Sequence, residues 1–479
     1  MQIKINNKEY EAHEGETVLD VCRREGIRIP TLCAHGKLKK EAACRLCLVE
    51  VNLTDKLVPS CVFPVCEKLE VTTESEKIKK AREINMELLW SDHAGKCVKC
   101  RRNRHCELQN MAEEYKIDNF HFLPRKEDLT REEELDLLRD NKTRVVVDDK
   151  NPAIHRTTEY CVECRRCINI CPVKSYGFNN RSGDVVVGTP YSKELDCIFC
   201  GACVKYCPTA ALTDKNNLEE VISKLDDIKT MAVAIVDPAV MESIGCEIPE
   251  IDTPEKLNGF LQSMGFERVF NLGWGMEKYF REAKKEAQEA SAMVISSHCP
   301  AFSLYVKKYY PGLVGSMSKI KNPNELMAEY IKSEYARKEK VDPKGIVVIS
   351  ISACVSKKAI LSQNQDHILT VRELGRLARQ RKISPNDISE SKTDGGFEFD
   401  EKALAMIESG GLQKLVSPSL RNKRSVVLNT MADMKKTLEN IKKRKVKYDF
   451  VEGMICPGGC VHGGGQSIEV QSSKFKVQN

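Results

Sequence analysis

Nowhere in this chain do about eighteen apolar residues run together, the length a membrane-crossing helix requires. The N-terminal stretch MQIKINNKEYEAHEGETVLD lacks the apolar centre of a secretory signal and reads instead as strand, turn, strand and helix. Both absences lead to the expectation of a soluble, cytoplasmic protein with no membrane span. A surplus of one charge is missing too: 75 Lys and Arg stand against 69 Asp and Glu, a formal +6 spread among acidic residues, which argues against nucleic acid as a partner. There is no dinucleotide fingerprint, because GWGMEK (273–278) and DGGFEF (394–399) lack the strand, G-x-G-x-x-G and helix context, and SKTDGGFEFDEKA reads as a surface loop. Reduced nicotinamide would have to act through another chain.

Cysteine, by contrast, is abundant. The chain has 22 in 479 residues, a length that predicts roughly three or more domains. In a reducing compartment such a set reads as metal ligands rather than disulfides. Cys33, Cys44, Cys47 and Cys61 form the first group, with a helix expected near Thr17 to Arg24 and a strand at Leu48 to Val51. Four thiolates there could hold zinc, but the strand-flanked setting points to a β-grasp ferredoxin carrying [2Fe-2S]. His93, Cys97, Cys100 and Cys106 follow in H-x3-C-x2-C-x5-C, a set zinc also accepts. Its position between two iron–sulfur modules decides for [4Fe-4S] with one histidine ligand, and His105 reads as a solvated bystander.

The strongest pattern is CVECRRCINICP with CIFCGACVKYCP, two copies of C-x2-C-x2-C-x3-C-P. That run binds two [4Fe-4S] clusters, each fourth cysteine serving the other cluster. Cys161, Cys164 and Cys167 then pair with Cys207, and Cys197, Cys200 and Cys203 with Cys171, while Pro172 and Pro208 stop the short helices. Seven cysteines remain. Cys22, Cys66 and Cys246 have no partner at ligand spacing and read as packed thiols. Cys299, Cys354 and the pair Cys456 and Cys460 lie in three separate loops, the number of thiols one more cubane needs. The last pair sits in VEGMICPGGCVHGGGQ (451–466), where six glycines would let the main chain close on something bulky.

This order of modules resembles the [FeFe]-hydrogenase family, and MICPGGCVHGGGQ is close to its most specific signature. The resemblance implies that Cys299, Cys354, Cys456 and Cys460 hold the cubane of an H-cluster, with Cys460 bridging to a diiron subsite. It implies a multidomain α+β and α/β fold: a β-grasp [2Fe-2S] domain over 1–78, a His/Cys3 cluster domain over 79–125, a two-[4Fe-4S] ferredoxin domain with its leading linker over 126–212, and an iron-hydrogenase-like α/β domain over 213–479. In the last, MAVAIVDPAV, SAMVISS, GIVVISISA, RSVVLNT and YDFVEGMI read as buried strands, and NGFLQSMGF, EKYFREAKKEAQEA and PNELMAEYIKSEYARKEK as their covering helices. The cysteine loops follow strand ends, where open α/β sheets place ligands.

Departures from the family pattern are equally informative. Catalytic members carry two adjacent cysteines in the first loop, the first a proton shuttle, whereas this chain reads His298, Cys299. The second loop reads Ser352, Ala353, Cys354, Lys357 and Ile360, keeping the lysine that would hold a cyanide ligand of the diiron site. On the proton route, Glu282 matches the outer carboxylate, while the inner carboxylate falls on Lys285 and a serine on Lys319. The stretch from Cys354 to Cys456 is shorter than in familiar members, and less chain follows Gln466. The resemblance therefore implies one [2Fe-2S] and four [4Fe-4S] clusters, with the diiron subsite argued against. The expected function is electron transfer in a cytoplasmic redox complex, electron-bifurcating and NAD(P)H-linked. It resembles the hydrogenase-like subunit of formate dehydrogenase complexes, whose partners are a flavin- and NAD(P)-binding iron–sulfur subunit, a formate dehydrogenase catalytic subunit and ferredoxin. The alternative is an active or sensory [FeFe]-hydrogenase using His298, Lys357 and Glu282.

Overall fold

Residues 1–36, 38–91, 93, 95–117, 147–179, 186–188, 196–384, 389–391, 400–420 and 424–467 are described by the computed structural model. Asn6 and Asn7 take positive φ, as a tight hairpin demands, and turn β1 (Gln2–Ile5) back onto β2 (Lys8–Glu11). Thr17 and Asp20 form a reciprocal capping box that starts α1 (Val18–Arg24). With β3 (Leu48–Val51), β4 (Thr54–Pro59) and β5 (Glu70–Thr72) the strands make a sheet ordered β2-β1-β5-β3-β4, the β-grasp layout expected for this part of the chain. Ile5, Leu19, Val49 and Leu69 fill its core.

The helices α2 (Glu76–Ser91) and α3 (Glu107–Glu114) flank the loop of His93, Cys97 and Cys100. Next come β6 (Val147–Asp148), β7 (Ile154–Thr157), α4 (Arg166–Ile170), β8 (Gly177–Asn179), β9 (Val186–Gly188), α5 (Ala202–Tyr206) and β10 (Leu212–Asp214). The two cysteine runs fold alike. A left-handed residue, Arg165 (φ 61°) or Gly201 (φ 75°), leads into each helix. Pro172 and Pro208, which have no N–H to continue it, follow the helix. Arg166, buried at 1% exposure, grips Glu107 with two parallel hydrogen bonds of 2.7 and 2.8 Å and so ties α4 to α3.

Beyond α6 (Leu218–Leu225) the chain builds two parallel sheets. In the first, β11 (Met231–Val236) lies between β12 (Arg268–Asn271) and β14 (Ile346–Ser352), with β15 (His367–Thr370) beyond β14. In the second, β17 (Phe450–Gly453) lies between β13 (Val294–Ile295) and β16 (Ser425–Leu428). The all-apolar strand pattern follows from burial on both faces. Val233, Ile235 and Val348 join the core under α8 (Gly273–Glu289) and α10 (Pro323–Tyr330), while Ala234, Val347 and Ile349 join the opposite core under α7 (Pro254–Ser263) and α11 (Val371–Arg381). The remaining helices are α9 (Pro300–Tyr309), α12 (Gly411–Val416) and α13 (Met431–Lys442). The five strands and three helices read from the sequence of this region are all present.

One expectation is corrected. GWGMEK does have strand and helix context, since β12 runs directly into α8 at Gly273. Its glycines serve packing: a Cβ on Gly275 would stand 2.4 Å from the carbonyl oxygen of Pro323. The third glycine of the fingerprint is replaced by Lys278. Residues 392–399 of SKTDGGFEFDEKA lie outside the described residues.

Candidate functional site

The C-terminal ends of both parallel sheets open onto one cavity of about 650 Å³. Asp237 follows β11, Cys354 follows β14, Cys299 precedes α9 after β13, and Cys456 and Cys460 follow β17; all five line it. The glycine-rich loop is shaped by contact on its outer side. A Cβ on Gly464 would lie 2.1 Å from the carbonyl oxygen of Cys200 and 2.7 Å from Gly201 Cα. Gly459 adopts φ 109° with a Cβ position 2.3 Å from the Ile407 carbonyl oxygen. Glycine at these two positions is a steric requirement. It lets the loop press against the second ferredoxin run, so that Cys200 joins the same cavity wall.

The four thiols answer to one another electrostatically. Burial and the neighbouring Cys354 push Cys299 up to about 11. Burial, with Cys354 and Cys299 nearby, pushes Cys456 up to about 12. Cys354 and Cys460 are raised by burial, against a lowering pull from Lys357. Free thiols in this cavity stay protonated at neutral pH; binding of iron must displace those protons and supply positive charge.

The other expected ligand groups also converge. Cys33 and Cys44 are hydrogen-bonded, as are Cys47 and Cys61, and the charge of Cys33 is felt at Cys47 and Cys61. His93 is buried, and Cys100 interacts with both Cys97 and Cys106. Cys207 faces Cys161, Cys164 and Cys167, while Cys171 faces Cys197 and Cys203, and Cys200 faces the same two, so the fourth cysteines cross over. Among the described residues no three such side chains converge on a point that a single metal ion would fill. The groups also touch in series. Cys33, Cys44, Cys106 and Cys164 share one apolar cluster, Cys106 Sγ lies 3.5 Å from the Pro208 carbonyl, and the burial-raised thiol of Cys200 also feels Cys456.

The cavity wall carries polar groups as well. Lys357, 9% exposed, donates to Asp237 at 2.9 Å, and Ser352 Oγ donates to the same carboxylate oxygen at 3.1 Å. Burial works to lower Lys357, yet Asp237 and the flanking thiols outweigh it and hold the ammonium above its ordinary range. Asn324 is 1% exposed, and neither of its amide atoms has a hydrogen-bond partner among the described residues. The same holds for both ring nitrogens of His298, which burial depresses to about 4, leaving a neutral imidazole. Its Nε2 lies 4.0 Å from Glu452 Oε1.

Glu452 is fully buried on β17 and accepts from the backbone of Gly410 and Gln413, but burial dominates and pushes it up to about 7. A raised carboxyl stabilises the fold fully below its unfolded value, and that contribution is lost as pH rises from about 4.5 through about 7. Glu452→Gln should remove this window, so that the stability difference between the two proteins changes by roughly 3 kcal/mol across it. Hydrogen exchange of the β17 amides against pH measures the effect; a constant difference would refute it.

Several expected residues are placed differently. Glu282 and Lys285 both point to solvent, because the inward face of α8 is Met276, Tyr279, Phe280, Ala283 and Ala287. Glu286 is the carboxylate that turns inward, with one buried oxygen lacking a partner among the described residues. The serine in this region is Ser318, buried and bonded to Tyr279, with Lys319 beside it. Tyr279 also meets Ser297 at 3.1 to 3.3 Å, and its ring centre lies 5.9 Å from that of His298. A one-residue difference in register separates the sequence reading from the structure here. Lys357 is tied to Asp237 rather than free for a ligand. His105 is packed against Arg379 at 2.9 Å rather than solvated. Cys22 is a core thiol, raised to about 12 by burial.

Comparison with known proteins gives four matches in chain order. Residues 1–76 match a 2Fe-2S iron–sulfur cluster binding domain, 82–121 the NADH-ubiquinone oxidoreductase-G iron–sulfur binding region, 144–212 a 4Fe-4S dicluster domain, and 230–464 the iron only hydrogenase large subunit, C-terminal domain. Over 97% of this chain and 88% of the relative, the sequence is 27% identical to the NADP-reducing hydrogenase subunit HndD of Solidesulfovibrio fructosivorans. Over the same shares it is 25% identical to iron hydrogenase 1 of Clostridium pasteurianum. Its N-terminal part, 45% of this chain, is 32% identical to 28% of the NADH-ubiquinone oxidoreductase 78 kDa subunit of Neurospora crassa. The chain carries 2Fe-2S and 4Fe-4S cluster-binding domains, and through residues 230–464 it belongs to the iron-only hydrogenase large-subunit family.

Proposed function

We propose that this chain is the iron–sulfur electron-transfer subunit of a redox complex, with Cys299, Cys354, Cys456 and Cys460 holding a terminal cubane and no diiron unit beside it. The observation that carries this reading is the Asp237–Lys357 ion pair, which satisfies the one cation of the cavity internally. The neutral, bulky imidazole of His298 occupies the neighbouring wall. The cysteine groups form a continuous series from the loop of Val98, 88% exposed, to the buried cavity, the arrangement of a wire whose end meets a partner. A chain with iron–sulfur groups alone carries single electrons, so two-electron chemistry must come from elsewhere. The partner is a flavin- and NAD(P)-binding subunit; the relatives' names, an NADP-reducing hydrogenase subunit and an NADH-ubiquinone oxidoreductase subunit, support that choice. Purification from the native host is expected to bring such a subunit with it, and a catalytically complete monomer would contradict the proposal.

A second reading, hydrogen chemistry at a diiron site, is favoured by the orphaned amide of Asn324 and ring of His298, which offer polar atoms to an occupant of the cavity. Infrared absorption separates the two. Protein matured in its host should show no bands from metal-bound CO or CN⁻, and their presence would overturn the leading proposal. Under either reading the cluster groups should bring about eighteen irons in one [2Fe-2S] and four [4Fe-4S] clusters. Iron analysis near twelve, or substantial zinc, would contradict that inventory.

A further inference from the structure

A second cavity, of about 460 Å³, lies where the loop after Cys100, strand β10 and helix α11 meet, away from the four-thiol cavity. Arg101, Arg102, Arg372, Arg376 and Arg379 line it, against only two carboxylates, Asp214 and Glu247. The carboxylates are already engaged. Arg372 takes Asp214 with bonds of 3.0 and 2.8 Å, and Arg379 takes Glu247 at 3.2 Å. Arg101 donates to Thr213 Oγ1 at 3.1 Å and Arg102 to the Val204 carbonyl at 2.7 Å, both neutral acceptors. Arg376 is the most exceptional: its Nε and Nη2 are buried and have no hydrogen-bond partner among the described residues. Its nearest acid, Glu373 at 3.6 Å, is held by Lys358 at 2.9 Å. Three guanidinium groups thus share one recess without a carboxylate of their own on its wall.

Buried cations are costly unless paired, and the fork of arginine donors matches tetrahedral oxyanions. We propose that the recess of Arg101, Arg102 and Arg376 is a binding site for a phosphate dianion, free or carried on a nucleotide. A dianion answers the surplus better than a single carboxylate would. Arg102 gives the site a second consequence, because its charge is felt at Cys100 and Cys106. An anion that offsets Arg102 makes the electrostatic environment of those cysteines more negative, so reduction of a cluster they hold becomes harder.

The test uses the full chain with its clusters, without oxygen and at fixed ionic strength, since any cationic recess responds to salt. Inorganic phosphate is titrated calorimetrically against chloride, with ADP and NADPH as further arms. One saturable equivalent of phosphate is expected, weakened at least about tenfold by Arg376→Gln and by Arg101→Gln, the size of a lost charged hydrogen bond. Should the variants fail to fold, the wild-type protein still reports, through a phosphate-dependent rise in melting temperature that equal chloride does not give. Phosphate should also move the midpoint of the Cys97, Cys100 and Cys106 centre, followed by electron paramagnetic resonance, to more negative potential. A nucleotide binding more tightly than phosphate assigns the dianion to a larger ligand, and equal binding assigns it to the free ion. Absence of saturable binding, unchanged affinity in both variants, or equal competition by chloride overturns the proposal.

Discussion

Asp237→Asn is expected to cost the folded chain about 3–5 kcal/mol, the size of a buried ion pair broken on one side. Asp237 is 1% exposed at the end of β11, held by its own backbone contacts, and it is the first carboxylate to meet the Lys357 ammonium. Removing its charge leaves a lysine in a low-dielectric wall with only thiols nearby. The pH dependence supplies the signature. In the wild type the Lys357 value is raised, so its stabilisation is fully present below the ordinary lysine range and is lost only as pH climbs through the folded value. In Asp237→Asn the folded value should fall below the ordinary one, and stability should then rise between about pH 7 and 10 as the lysine sheds its proton. Hydrogen exchange of β11 and β14 amides tests this. The double variant Asp237→Asn, Lys357→Met should recover much of the loss, since neither partner remains charged. If the single variant is as stable as wild type, the pair does not fill the cavity's charge requirement, and the argument against a diiron occupant loses its main support.

The cysteine spacing was legible because ligand chemistry imposes short, fixed intervals on the chain. C-x2-C-x2-C-x3-C-P with a left-handed residue ahead of each helix is local geometry, and the crossing of Cys171 and Cys207 follows from it. Buried parallel strands were legible for a similar reason: seven consecutive residues of Ile346–Ser352 are buried, and no other kind of strand reads that way. Asp237 was not legible. In MAVAIVDPAV it looks like the polar end of a strand, and only the register of β11 against β14 brings it to Lys357. The α8 carboxylates failed through helix phase. One residue turns a side chain by about 100°, so Glu282, Lys285 and Glu286 face three directions, and only Glu286 faces in. The arginine recess joins residues from four stretches of chain, and no spacing within any one of them announces it.

His298→Cys, the substitution that restores the family's shuttle thiol, is expected to give no hydrogen evolution even with diiron maturation machinery present. A positioned acid or base typically contributes on the order of 10²–10⁴-fold, so a site lacking only its relay should respond visibly to this change. The imidazole it removes is neutral at pH 7 and packed between Tyr279 and Glu452, without a hydrogen bond from either ring nitrogen among the described residues. Its loss opens space beside Cys299 but leaves Lys357 bound to Asp237. A thiol placed there still has no reacting metal to serve if that lysine is the anchor of its own carboxylate. Cys299→Ser is the companion measurement, because a serine in place of one of four converging thiols should lower iron content by up to about four under either reading. Robust hydrogen production by the His298→Cys protein would mean that the cavity accepts a diiron unit despite the ion pair in its wall, and that the chain is a hydrogenase whose relay, rather than whose metal site, has diverged.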